Sequence, residues 1–88
     1  MTIRTRRETV TFRHPFRIHG IDRLLPAGAY QVIADEETIE SERFSAWRRV
    51  GTLIIVPAES PVGTMEMLSI RALDLADAQR VDASVAND

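Results

Sequence analysis

The sequence predicts a mainly β domain of the α+β class: an antiparallel meander of four strands, or five, closed by one short C-terminal helix. Three observations predict it. Leu53-Ile54-Ile55-Val56 is the most hydrophobic run of the chain, rich in β-branched residues and ended by Pro57, which fits a strand buried on both sides in the middle of a sheet. Val10, Phe12, Phe16 and Ile18 alternate with polar residues, the period of a strand with one wet face. After Arg71 the pattern changes to ALDLADAQRV, without glycine, proline or an aromatic residue, as suits a helix. Strong curling of the meander would close it into a small SH3-like barrel.

Eighty-eight residues make one domain, which buries roughly 60% of its unfolded surface in a single modest core. Hydrophobic residues are 44% and charged residues 27%, ordinary for a globular protein. The net charge of −2 gives no overall pull toward nucleic acid or an anionic membrane. No run approaches the length of a membrane span. Without cysteine there is no disulfide framework and no thiolate metal site. No apolar h-region follows Met1, so the expected compartment is the cytoplasm. All 11 basic residues are arginine. A GC-rich genome accounts for that bias, and bidentate anion binding would also use it.

Taken in order, residues 1–7 read as a mobile basic arm. A single domain follows over 8–82, with its first strand running from about Thr9 to Ile18. Pro15 cannot donate to a ladder, which implies an edge or a bulge. Leu25-Pro26-Ala27-Gly28 fits a type I turn. The second strand starts at Ala29 or Tyr30. Asp35–Glu40 reads better as its continuation than as a helical turn, because Ile33 and Ile39 keep one parity. Ser41–Ala46 is a loop, and Trp47–Pro57 is the central strand. Gly51 marks a bulge or a close backbone approach. Ala58–Gly63 is a hairpin loop and Thr64–Ile70 the fourth strand. The helix covers about 72–82, with Asp74 as a possible cap, and docks through Leu73, Leu75 or Ala76, with Val81 as a further contact. Residues 83–88 form a disordered tail.

The residues FRIHGIDRLLPAGAYQVIADEETIE, followed by WRRVGTLIIVP, carry a family resemblance. They contain G-x-D, L-P-A-G-x-Y-x-V and D-E-E-x-I-E, then an aromatic residue, R-R-V and an apolar strand ending in proline. The chain from Phe16 to Pro57 thus resembles small uncharacterised proteins of alphaproteobacteria. The resemblance implies a bacterial source and an independent small domain. It carries over no catalytic residue.

The chemistry-bearing residues give no catalytic, cofactor-binding or metal site. Asp35, Glu36, Glu37, Glu40 and Glu42 lack the spacing of an EF-hand loop, and a strand end paired with Arg43, Arg48 or Arg49 accounts for them. His14 and His19 would face opposite ways on one strand, with no third ligand. His14 reads as a partly buried, hydrogen-bonded histidine. No G-x-S-x-G, phosphate-loop or dinucleotide glycine pattern occurs, so no enzyme is expected. Met65 and Met67 read as gap fillers in the core.

Two surfaces remain. Tyr30, Phe44, Trp47 and Arg48 are candidates for a protein-interaction site, since interfaces enrich aromatics and arginine; Trp47 and Tyr30 read first as the cap of a small core. Arg4, Arg6, Arg7, Arg13 and Arg17 are candidates for contact with single-stranded nucleic acid. Against it, Phe12 and Phe16 have the opposite parity to Arg13 and Arg17, which removes the stacking platform. The expected function is therefore a non-catalytic interaction or scaffold module that binds a second copy or another protein through an edge strand or the Trp47 end. The alternative is a nucleic-acid-binding module, and a small-molecule binder or enzyme ranks third.

Overall fold

Four strands and one helix follow from this pattern. A computed structural model describes residues 2–58 and 63–85. The elements are β1 (Ile3–Phe12), β2 (Gly28–Glu40), β3 (Ser45–Pro57), β4 (Met65–Ile70) and α1 (Ala72–Ser84). The strands form one antiparallel sheet in the order β1-β2-β3-β4. The sheet is open and does not close into a barrel. β1 and β4 stay at opposite edges, and a β4 of six residues beside strands of 13 is too short to bring the edges together.

Residues 3–7 are not a mobile arm. They are the first half of β1, in register from Ile3↔Glu37 to Phe12↔Gly28. Their arginines lie across from the acidic segment, as in Arg4↔Glu36, and opposite charges across a ladder stabilise it. β1 also ends six residues earlier than its alternation suggests. The Asp82 carboxylate accepts the backbone N–H groups of Arg13 and His14, each at 3.0 Å, and this ends the strand. The alternation continues because the β1–β2 connection folds over the same core. Phe16 and Leu25 exchange two backbone hydrogen bonds of 2.9 and 2.8 Å, so Phe16, Ile18 and Leu25 still point inward.

β2 runs through Asp35–Glu40 as a strand, and β3 starts two residues before Trp47. The expected irregularity at Gly51 is present. Asp35 pairs with Gly51 but Glu36 pairs with Arg49, leaving Val50 without a partner. This extra residue exchanges the faces of β3. Thr52, Ile54 and Val56 are buried on the core side, whereas beyond the bulge Trp47 takes that side, opposite Thr38. Thirteen residues span about 43 Å at strand rise, so this hairpin draws the molecule out to 50 × 33 × 19 Å.

The core lies on one side of the sheet. Val10, Phe12, Tyr30, Val32, Ile54 and Val56 pack beneath the connection and α1, which contributes Leu75 and Ala78. Phe12 and Phe16 stack with centroids 3.6 Å apart, and Tyr30 stands edge-on to both. The Tyr30 hydroxyl donates to the Pro26 carbonyl, and burial raises its pKa.

α1 runs to Ser84, so residues 83 and 84 are helical. Residues 86–88 of the expected tail and 59–62 of the expected loop lie outside the described residues. The cap position is Arg71, with no side-chain cap; Asp74 sits in the first turn. The docking face is Leu75, Ala78 and Asp82. Leu73 and Val81 are exposed, at 68% and 56%, because the helix meets the sheet on the i, i+3, i+7 stripe.

Candidate functional site

Strand geometry sends alternate residues to opposite faces. With the connection and α1 on one face, the other carries Ile33, Leu53, Ile55, Met65 and Met67. Ile33 pairs with Leu53, Ile55 with Met67 and Pro57 with Met65, so the five side chains form one patch across β2, β3 and β4. Ile33 is buried by its neighbours, Leu53 and Ile55 are half-buried, and Met65 and Met67 are 57% and 59% exposed. The methionines therefore do not fill gaps in the core. They extend an apolar face to the edge of the sheet.

The two edges differ in charge. β1 carries Arg4, Arg6, Arg7 and Glu8, and such charges protect an edge from further strand pairing. β4 carries only Glu66, which accepts from Arg23 at 3.1 Å. Its outer backbone groups lie beside methionines rather than arginines.

The aromatic candidates do not gather into one site. Tyr30 is in the core at 5% exposure. Phe44 is exposed near the far turn of the β2–β3 hairpin. Trp47 lies under the Arg4 guanidinium, 3.8 Å from the ring centroid, a cation–π contact. Arg48, its neighbour on the strand, faces the other way and pairs with Glu37.

The arginine candidates are likewise dispersed. Arg4 bonds Glu36 at 2.8 Å, and Arg6 approaches the same carboxylate at 3.9 Å. Arg7 belongs to the opposite face, across from Ile33. Arg13 and Arg17 are exposed on the connection. Thr5 donates to Asp35, so the acidic segment is tied to its arginine and threonine neighbours. Among the described residues no three His, Cys, Asp or Glu side chains are grouped to hold a metal.

His14 is half-buried, with Nδ1 3.0 Å from the Asp82 carboxylate. His14 and His19 do not face apart, because the chain has left the strand there. Both border a cleft beside α1. The Asp82 pKa is lowered, first by the backbone N–H of Arg13 and then by His14, against the opposing effect of burial. Among the described residues no hydroxyl hydrogen-bonds the His14 ring. The visible role of the pair is to pin the connection to α1.

A pH dependence follows. A lowered folded-state pKa means the charged carboxylate stabilises the fold. That stabilisation is complete above the ordinary aspartate value of 3.8 and is lost as pH falls through the lowered value. Thermal melts should therefore rank the wild type above Asp82→Asn at pH 6, with the gap narrowing below about pH 4. A gap independent of pH would remove the carboxylate charge from this role.

Neither Asp82 nor the methionine face was evident from the amino-acid order. Asp82 acts across 68 and 69 positions. The alternation of Met65 and Met67 with Glu66 and Leu68 was the available signal for the face. The fold and this surface define a small open-sheet domain with one helix-covered face and one free apolar face. Comparison with protein-family models, curated proteins and solved structures finds no match. No helix among the described residues is long and apolar enough to cross a membrane.

Proposed function

We propose that the domain is a non-catalytic protein-interaction module whose partner is a second copy of the same chain, joined β4 to β4. The observation that carries this is the apolar free face reaching an edge strand that bears Met65 and Met67, more than half exposed, and little charge. An antiparallel join about a two-fold axis is closed and self-complementary. It pairs the outer backbone groups of β4 and turns two four-stranded sheets into one. It also makes one apolar surface from the two methionine patches, and exposed patches of this kind mark interaction sites. A β1-to-β4 join would propagate into open fibres, and the arginines of β1 disfavour it.

The nucleic-acid alternative has less support, because Arg4 and Arg6 are turned onto Glu36 rather than gathered on one surface. The alphaproteobacterial resemblance favours a bacterial setting.

Light scattering coupled to size exclusion tests the proposal. The wild type is expected at twice the 9.9 kDa chain mass. The double variant Met65→Glu, Met67→Glu is expected at one chain mass with an unchanged far-UV spectrum, since it places like charges at the join. A monomeric wild type at every concentration reached would refute self-association through this edge.

A further inference from the structure

The roofed side of the sheet holds a second feature, independent of the free face. β4 ends at Ile70, opposite Thr52, and α1 starts two residues later at Ala72. The unpaired bulge residue Val50 lies two residues before Thr52. Between the bulge and the start of α1 is an open cleft of about 250 Å³, lined by Arg49, Thr52, Ile70, Arg71 and Ala72 among others. It is smaller than a drug-sized site and suits a ligand group of a few heavy atoms.

Three observations select an anion. First, the charged side chains lining the cleft are Arg49 and Arg71, with no aspartate or glutamate beside them. Both are exposed, and among the described residues neither guanidinium has a hydrogen-bond or ion-pair partner. Glu36, directly across the ladder from Arg49, is held by Arg4 and Arg6. Second, α1 has no side-chain cap. The N–H groups of Ala72 and Leu73 therefore have no intrahelical acceptor, at the helix end that attracts negative charge. Asp74, the acidic residue of that turn, lines the neighbouring cleft beneath α1 instead. Third, Thr52 is 3% exposed and lines the cleft, yet among the described residues its hydroxyl makes no hydrogen bond. Buried hydroxyls are ordinarily satisfied. Unlike the sealed Oδ2 of Asp74, this hydroxyl is open to the cleft.

We propose that the cleft binds a phosphate group, with Arg49 and Arg71 balancing its charge and the Thr52 hydroxyl and first amides of α1 orienting it. Two guanidinium groups match the double charge of a phosphate, and their forked donors match its oxygens. Inorganic phosphate and a small phosphate monoester present this same oxyanion.

The test is a ¹H–¹⁵N NMR titration of the full chain with inorganic phosphate and with glycerol 3-phosphate at constant ionic strength, acetate being the singly charged comparison. Saturable shifts are expected at Gly51, Thr52, Arg71 and Ala72, with half-saturation at about 1 mM or below. Acetate should bind at least about tenfold more weakly, the loss of one charge-assisted contact. Tighter binding of glycerol 3-phosphate identifies an ester as the natural source, and equal or weaker binding the free ion. Arg49→Gln with Arg71→Gln, at two exposed positions, should weaken phosphate at least about tenfold and leave the melting temperature unchanged. Thr52→Val should weaken phosphate about threefold while holding or raising the melting temperature, because a hydroxyl without a partner does not stabilise the fold. No saturable shift at these residues, acetate binding as tightly as phosphate, or undiminished phosphate binding in either variant would each overturn the proposal.

Discussion

Phe12→Ala is expected to remove about 3–5 kcal/mol of folding stability, the range for truncating a buried phenylalanine. Phe12 is 1% exposed, stacks on Phe16 and meets the edge of Tyr30. It is the last residue of β1, at the point where the chain leaves the sheet to roof the core. Truncation leaves a cavity between layers that cannot both collapse into it, because Phe16 is held by its backbone bonds to Leu25. A domain of this length has about 4–13 kcal/mol in all, so the variant should melt far lower or be partly unfolded at 25 °C. Urea unfolding followed by circular dichroism measures this. A loss below about 1 kcal/mol would mean that the aromatic cluster is not the centre of the core.

The second large effect is a contrast between neighbours. Ile54→Ala should cost about 2–5 kcal/mol, and Ile55→Ala much less in a monomeric background, below about 1.5 kcal/mol. Ile54 is 0% exposed between Val32 and Leu68. Ile55 is half-buried on the free face beside Met67. Adjacent strand residues differ only in the face they enter, so the two variants read the covering of each face directly. Made in the Met65→Glu, Met67→Glu background, the measurement excludes any contribution from self-association. Equal losses would mean that the second face is covered as well as the first, which would remove the basis of the proposed interaction surface.

Much of the fold was legible in local patterns. The alternation through 10–18 identifies core residues, since period-two burial is a local consequence of the pleat. Of the run at 53–56, however, only Ile54 and Val56 are core, while Leu53 and Ile55, expected to be buried as well, lie half-buried on the free face. Gly51 beside the bulge, and the helix after Arg71, are local too. Where the fold departs from these local patterns, the cause is contact with distant residues. Residues 3–7 lack an apolar face, so nothing in their own composition marks them as a strand. The acidic partner that holds them lies 32 residues away at Glu36. The bulge at Val50 moves Trp47 to the opposite face from the one its own parity indicates, and it ends under Arg4 rather than over the core. Asp74 looks like a cap by its place in the order, yet Arg71 takes that position.

The candidate surfaces divide in the same way. Grouping Tyr30 with Trp47 and Arg48 rested on residue type, and the register separates them. Met65 and Met67 carried the alternation that makes a face, but no local rule states whether a second layer will cover it. By itself, the order of residues determined the strands, the helix, the antiparallel meander and most of the buried set, because propensity and periodicity are properties of neighbours along the chain. Only the tertiary structure decided which face is roofed, where β1 begins and ends, and which charges are neutralised, because those depend on contacts between residues 30 to 70 positions apart.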